Sequence, residues 1–117
     1  MIFIQIDSKH QILYAGAMKA NKAEIKKRLA SLADVLSLYH VSRIGLFGSF
    51  VHGTQSEQSD IDLLVEFREP IDLFAYVNFN DTLSKIMRRK VDMVTLNGIK
   101  PAIREKVINE VEWIEGI

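Results

Sequence analysis

Apolar positions that recur every three or four residues predict three helices along this chain. The first covers residues 22–39, where Asn21 can cap the helix start and Glu24 can complete a capping box. The second spans about residues 70–87 and opens on a proline, and the third begins at Pro101. The expected apolar stripes are Leu73, Tyr76, Leu83 and Met87 in the second helix, and Ile103, Val107, Val111 and Ile114 in the third.

Three shorter apolar runs, at residues 43–47, 61–67 and 91–96, predict strands. A short helical turn through Val51 follows the first run, and residues 53–59 form a polar loop. This alternation of helices and strands predicts an α/β (α+β) fold in which helices flank a small mixed β-sheet.

The N-terminal region stands apart from this pattern. Residues 1–17 contain alternating apolar positions and a turn-like polar segment, which predict an added hairpin. Residues 18–117 then form the principal domain. A length of 117 residues suits one hydrophobic core rather than two.

Composition narrows the classes of function. The 15 Lys plus Arg residues balance the 15 Asp plus Glu residues, so the formal net charge is zero. This excludes the strongly basic surface of a dedicated nucleic-acid wrapper, and we expect no direct nucleic-acid binding. The absence of cysteine excludes a disulfide scaffold, a thiolate zinc site and thiol catalysis. No apolar stretch approaches the ~20 residues that span a bilayer, so we expect a cytoplasmic protein that does not associate with membranes.

Three aspartates are the first candidates for chemistry. Asp60 and Asp62 lie two positions apart at the start of a strand, so both side chains project from one face of the sheet. Asp92 joins that face if its strand is a neighbour. Carboxylates within about 6 Å repel by roughly 3 kcal/mol per pair at an effective dielectric of 20, so such a group takes up protons or binds cations. Mg²⁺ suits it, because this ion accepts carboxylates together with substrate phosphates.

The second candidate is the Gly48-Ser49 pair at the end of the preceding strand. Glycine lets the backbone approach a ligand closely, and Ser49 adds a hydroxyl donor. Backbone N–H groups at this turn can hold a phosphate, and Gly53 permits a tight exit from it. A nucleoside triphosphate bound there would lie close to the aspartates.

Each motif also has a plainer interpretation. An aspartate at a strand start is often only a turn former, and a Gly-Ser pair alone is weaker still. The combination is more specific, because Gly48-Ser49 ends one strand and Asp60 and Asp62 open the next. Asp92, between two apolar residues of a later strand, is costly in a core and needs a reason.

The segment 48–65 resembles the signature of the minimal nucleotidyltransferases, the small branch of the polymerase-beta-like nucleotidyltransferase superfamily. That signature reads Gly-Ser, a variable stretch, then Asp-x-Asp, with a third acidic residue on a later strand. The likeness extends from about Asn21 to Trp113 and implies the polymerase-beta-like nucleotidyltransferase fold. It also implies a nucleotide-binding set of Gly48, Ser49, His52 and Gly53, and a catalytic set of Asp60, Asp62 and Asp92 that binds two Mg²⁺ ions. Asp92 would also accept the proton of the attacking hydroxyl.

Many members of this family are antitoxins whose partner is a HEPN-domain ribonuclease toxin. The resemblance therefore implies transfer of AMP from ATP to a tyrosine hydroxyl of that toxin. The sequence leaves both a homo-oligomer and a hetero-oligomer open. The sequence departs from the family at His52, where members often carry arginine. His52 either contacts phosphate or packs the loop, and the second role is favoured.

Two other functions remain open from the sequence. The same fold could neutralise a toxin by occlusion, without catalysis, although a decayed enzyme would be free to lose its aspartates. Transfer to a small molecule would usually need an additional domain to hold the acceptor, and 117 residues leave little room for one.

Overall fold

The structure, a computed structural model, describes residues 21–115. The predicted hairpin over residues 1–17 lies outside the described residues. The helices are α1 Lys22–Ala30, α2 Ala33–Leu38, α3 Ser49–His52, α4 Leu73–Met87 and α5 Pro101–Glu110, with a 3₁₀ turn at Leu96–Gly98. The strands are β1 Val41–Phe47, β2 Ile61–Phe67, β3 Val91–Val94 and β4 Glu112–Trp113.

The four strands form one mixed sheet in the order β3-β2-β1-β4. Strand β1 is antiparallel to both of its neighbours, β2 and β4. Strands β2 and β3 are parallel, because helix α4 carries the chain from the end of one to the start of the other. The predicted α/β (α+β) fold with a mixed sheet is confirmed.

Alternation along β2 divides the apolar side chains between two cores. Ile61, Leu63 and Val65 belong to the larger core, which also contains residues of α1 and α4. Leu64 points the other way and packs with Val107 of α5. Because side chains two positions apart share a face, Asp62 lies on the same face as Leu64. Helix α5 therefore covers the face that carries the candidate carboxylate.

The first two predicted helices differ from the observed ones at their ends. Residues 22–39 form two helices, because the chain turns at Ser31, whose hydroxyl donates to the Arg28 carbonyl oxygen at 2.6 Å. Helix α4 begins at Leu73 rather than at the proline, since the Asp72 carboxylate caps it by accepting the Ala75 N–H at 2.8 Å. Leu73 is 73% exposed, so its assignment to the buried stripe was wrong.

The C-terminal predictions also need correction. Strand β3 ends at Val94 rather than at Leu96, because Thr95 precedes a 3₁₀ turn that begins at Leu96. Helix α5 ends at Glu110, so Val111 and Ile114 do not continue it, and Ile103 is 49% exposed. The chain instead turns into β4, which pairs with Gly45 and Leu46 of β1.

Gly45 makes this pairing sterically feasible. A Cβ atom at this position would lie 2.9 Å from Trp113 Cε3 and 2.5 Å from Val111 Cγ2.

Among residues 21–115, none of the helices has the length and the apolar composition needed to span a bilayer.

Candidate active site

Asp62 and Asp92 occupy equivalent positions on neighbouring strands. The parallel register of β2 and β3 places Ile61 opposite Val91 and Asp62 opposite Asp92. Residues paired in this way point to the same face of the sheet, and neighbouring strands lie about 4.8 Å apart. Both carboxylates therefore project from one face, close together, near the starts of β2 and β3. The sequence prediction that Asp92 joins this face is confirmed by the register.

Asp60 lies just before β2, beside the other two aspartates. The Ile61 N–H donates to the Lys90 carbonyl oxygen at 2.9 Å, which ties the chain here to the start of β3. The Lys90 ammonium lies 3.7 Å from the Asp60 carboxylate, as an exposed ion pair. Asp60 therefore enters the cluster with one counter-charge already near it.

Gly48 lies directly against Asp62. The antiparallel register places Phe47 opposite Asp62, and Gly48 follows with φ 79° and ψ −150°, a conformation essentially confined to glycine. A Cβ atom at Gly48 would lie 3.1 Å from Asp62 Cγ and closer still to Oδ2. The absence of a side chain thus lets the Gly-Ser turn and the carboxylate meet.

A four-residue helix, α3, carries the rest of the turn. Ser49 starts this helix, and Gly53 ends it in the left-handed region with φ 71°. The intervening Phe50 is 1% exposed in the larger core, so it anchors the turn to the body of the domain. The tight exit predicted at Gly53 is confirmed, although the space around its Cα is open.

Glu110, the last residue of α5, was missed by the sequence analysis. Its Oε1 accepts the Gly48 N–H at 3.3 Å, and its Oε2 lies 2.7 Å from His52 Nε2. The His52 imidazole therefore contacts the Glu110 carboxylate of the protein itself. A single acidic residue far along the chain carries no spacing signal, and the expected longer helix hid its position at a helix end.

Negative charge is concentrated around Asp62. Burial raises the pKa of Asp62 to about 6, with further increases from the charges of Asp92, Asp60 and Glu110, in that order. The Asp62 carboxyl group is thus half-buried and held close to three other acidic side chains. Such a cluster favours cations or protons.

Arg89 fixes the loop that leads into the carboxylate cluster. Its guanidinium donates to the carbonyl oxygens of Ser56, Glu57 and Ser59 at 3.3, 2.9 and 2.8 Å. It also lies 5.4 Å from the centre of the Phe50 ring. Nothing in the local sequence around Arg89 indicates this role, because the loop carbonyls that it binds are about thirty residues away.

Tyr76 of α4 packs against the larger core and bonds to β3 next to Asp92. Its hydroxyl donates to the Met93 carbonyl oxygen at 2.7 Å. Burial and the charge of Asp92 raise the pKa of Tyr76, so this side chain stays neutral and lies within electrostatic range of the aspartate.

The carboxylates have suitable chemistry for a hard divalent ion, because all of their donor atoms are oxygen. Within residues 21–115, however, no three acidic or histidine side chains already form a set arranged to hold a metal ion. Burial and the nearby negative charges together raise the pKa of Asp62, and this observation fits a bound cation.

Comparison with known proteins adds an independent line of evidence. Residues 30–115 match the family described as polymerase beta, nucleotidyltransferase. Protein adenylyltransferase MntA of Thermococcus cleftensis is 31% identical over 83% of this chain and 88% of its own length.

Two solved structures share the fold. One, described provisionally as a minimal nucleotidyltransferase, has a TM-score of 0.70 and 27% identity, covering 82% of this chain and 98% of that one. The other, a toxin–antitoxin complex with AMP-PNP, has a TM-score of 0.62 and 26% identity, covering 74% of this chain and 71% of that one. The family match, the relative and the mixed sheet agree with each other, and this chain belongs to the polymerase beta nucleotidyltransferase family, as an enzyme of its minimal nucleotidyltransferase branch.

Proposed function

We propose that this protein is a Mg²⁺-dependent adenylyltransferase that transfers AMP from ATP to a tyrosine hydroxyl of a HEPN-domain toxin. It would thereby act as the antitoxin of that partner in the cytoplasm. The observation that carries the proposal is the placement of Asp62 between Asp92 on the neighbouring strand and Gly48. Gly48 opens the turn over residues 48–53, which we call the phosphate-binding turn because we propose that it binds the triphosphate.

The roles of the residues follow from this placement. Gly48 and Ser49 would bind the triphosphate, with His52 and Gly53 completing the turn that shapes the site. The acceptor hydroxyl oxygen would attack the α-phosphorus, and the bond from that phosphorus to the oxygen bridging to the β-phosphate would break. Pyrophosphate leaves, and the hydroxyl proton passes to the carboxylate of Asp92, which is exposed and so accessible to an acceptor.

The aspartate cluster would hold two Mg²⁺ ions, and the ligands would be Asp60, Asp62 and Asp92. When bound, these ions would supply positive charge that stabilises the triphosphate and the leaving pyrophosphate. The same charge would relieve the repulsion that raises the pKa of Asp62. The oxygen-only donor set supports this assignment.

A protein acceptor is supported by the names of the similar proteins. The relative from T. cleftensis is named a protein adenylyltransferase, and one matching structure is a toxin–antitoxin complex with an ATP analogue. The described residues form one sheet with its covering helices, which leaves the acceptor to be supplied by a partner. The HEPN class and the tyrosine come from the sequence resemblance.

The test combines the purified protein with ATP, Mg²⁺ and the helical protein encoded by the neighbouring reading frame. Intact mass measurement should show added adenylyl groups on the partner, and peptide mapping should place them on tyrosine. The double variant Asp60→Asn with Asp62→Asn keeps the side-chain volumes and should abolish the transfer. Asp81→Asn, on the exposed side of α4, is the matched control and should transfer normally.

Labelling by the double variant at the wild-type rate would contradict the proposed site. The same variant also separates catalysis from occlusion. If it still neutralises the toxin at a one-to-one ratio, neutralisation does not need transfer, and the protein acts by occlusion instead. Loss of neutralisation together with loss of transfer supports the enzymatic antitoxin.

A further inference from the structure

We propose that Glu110 is a positioning residue that holds the phosphate-binding turn in its working shape. This inference rests on the proposed function, because it concerns the turn that would bind the triphosphate of ATP. Glu110 reaches both ends of that turn with one carboxylate. Oε1 accepts the backbone N–H of Gly48 at 3.3 Å, and Oε2 pairs with His52 Nε2 at 2.7 Å.

The turn needs such support because it is short and conformationally unusual. Helix α3 has four residues. The Val51 and His52 N–H groups donate to the Gly48 carbonyl oxygen at 3.1 and 3.3 Å, and the Gly53 and Thr54 N–H groups donate to the Ser49 carbonyl oxygen. Phe50 anchors the middle of the turn in the core. Glu110 fixes the two ends, since an isolated turn of this length is not stable alone.

Glu110 is itself held firmly in place. Its side chain is only 15% exposed, and the next residue but one begins the pairing of β4 with β1. The partners of that pairing, Gly45 and Leu46, lie just before Gly48 in the chain. The sheet therefore sets the distance between the end of α5 and the turn, which is what a positioning residue requires.

The charge of Glu110 cannot itself attract the nucleotide. A carboxylate beside the turn repels a triphosphate, and it already disfavours ionisation of Asp62. Any contribution to nucleotide binding must therefore come from the two hydrogen bonds. Glutamine separates the two effects, because its amide can accept from Gly48 and donate to the imidazole without a charge.

The experiment compares Glu110→Ala, Glu110→Gln and a matched control, Glu105→Ala, which removes an exposed carboxylate from the same helix. Steady-state transfer is measured at varied ATP with Mg²⁺ and saturating partner. Glu110→Ala should raise KM for ATP about tenfold, the effect of losing one to two net hydrogen bonds, while kcat stays within about twofold. Glu110→Gln should restore KM to within about threefold of wild type, and Glu105→Ala should leave both constants unchanged.

Several outcomes would overturn the inference. A wild-type KM for ATP in Glu110→Ala means that the phosphate-binding turn does not need Glu110 to hold it in place. Equal impairment of the Gln and Ala variants assigns the effect to charge rather than to hydrogen bonding. A fall in kcat with unchanged KM indicates only less active protein. If Glu110→Ala does not fold, His52→Ala removes one of the two bonds at a half-exposed side chain and should raise KM by about threefold.

A second readout does not depend on transfer. In ¹⁵N NMR spectra of the whole chain, the Gly48 amide should shift and exchange faster in Glu110→Ala, and should return towards its wild-type position in Glu110→Gln. An unchanged Gly48 amide overturns the inference. If the wild-type protein does not transfer AMP, the proposed function fails. The role of Glu110 is then tested by the dissociation constant for ATP, measured by calorimetry, with the same expected changes as those given for KM.

Discussion

Asp62 and Asp92 face each other across the parallel strands β2 and β3, each as the second residue of its strand. Their charges are close in an environment where Asp62 is partly buried, so ionising Asp62 is unfavourable in the folded protein. The pKa of about 6 expresses this, with burial as the largest cause and Asp92 as the next. The arrangement stores a repulsion that a bound cation would relieve.

The raised pKa of Asp62, which burial and the neighbouring negative charges cause together, predicts a pH-dependent gain in stability from neutralising this residue. Its folded-state pKa lies above the ordinary value, so the favourable contribution of the protonated form is complete below about pH 4 and is lost as pH rises to about 6. Asp62→Asn should therefore raise the melting temperature at pH 7.5 without divalent ions. With screening by solvent discounted, we expect on the order of 1 kcal/mol, or about 4 °C. Thermal unfolding from pH 4 to 8 measures it.

The gain should shrink towards zero by pH 4, where the wild-type carboxyl is already protonated. Asp81→Asn, which alters an exposed carboxylate paired with Lys85, should show no gain that grows with pH. A stabilisation of Asp62→Asn that is equal at pH 4 and pH 7.5 would contradict the electrostatic explanation.

Gly48 and Gly53 offer a matched pair of glycines in one turn. Both have positive φ, but only a Cβ at Gly48 would collide with Asp62, whereas the space at Gly53 is open. Gly53→Ala should cost about 1 kcal/mol from backbone strain. Gly48→Ala should cost at least twice that. The φ and ψ at this position are essentially restricted to glycine, and the alanine Cβ would have no room beside Asp62. Urea unfolding gives both free energies, and equal losses would show that the contact with Asp62 is unimportant.

Arg89 should hold the loop that precedes Asp60 in one conformation. Its guanidinium donates to three loop carbonyl oxygens, so Arg89→Ala leaves these groups without that donor. We expect faster hydrogen exchange over residues 54–59 and a loss of about 1–2 kcal/mol of stability. Lys85→Ala, in the last turn of α4 just before Arg89 in the chain, removes a surface cation and should leave loop exchange unchanged. Unaltered exchange in Arg89→Ala would refute a role in holding the loop.

The arrangement of the aspartates could be predicted from the sequence, because it depends on the local alternation of side chains along a strand. Strand alternation places Asp60 and Asp62 together, and a parallel neighbour was enough to bring Asp92 beside them. The apolar runs also located β1, β2 and β3 to within two residues. These features depend on short-range pattern and on the general alternation of helices and strands.

Features decided by distant contacts could not be predicted in the same way. Val107, Val111 and Ile114 satisfy helical spacing, yet the chain leaves the helix after Glu110 because β4 gains hydrogen bonds from β1 at Gly45. Nothing near residue 110 in the sequence indicates that partner. The contacts of Glu110 with Gly48 and His52 depend on this turn, so they were missed together with it.

The sequence resemblance suggests arginine at the position of His52, and the substitution His52→Arg tests what this position does. His52 Nε2 meets Glu110 Oε2 at 2.7 Å with a half-exposed side chain, so the pair contributes little by itself. An arginine is charged at every physiological pH and can offer two donors to one carboxylate. His52→Arg should stabilise the protein by about 0.5 kcal/mol, or roughly 2 °C in melting temperature. In the Glu110→Gln background, where the carboxylate charge is gone, that gain should disappear. A stability gain that persists there would mean that residue 52 contacts a group of the protein other than Glu110 and would contradict this explanation. Separately, a lower KM for ATP in the same double variant would indicate that the arginine also contacts the phosphates.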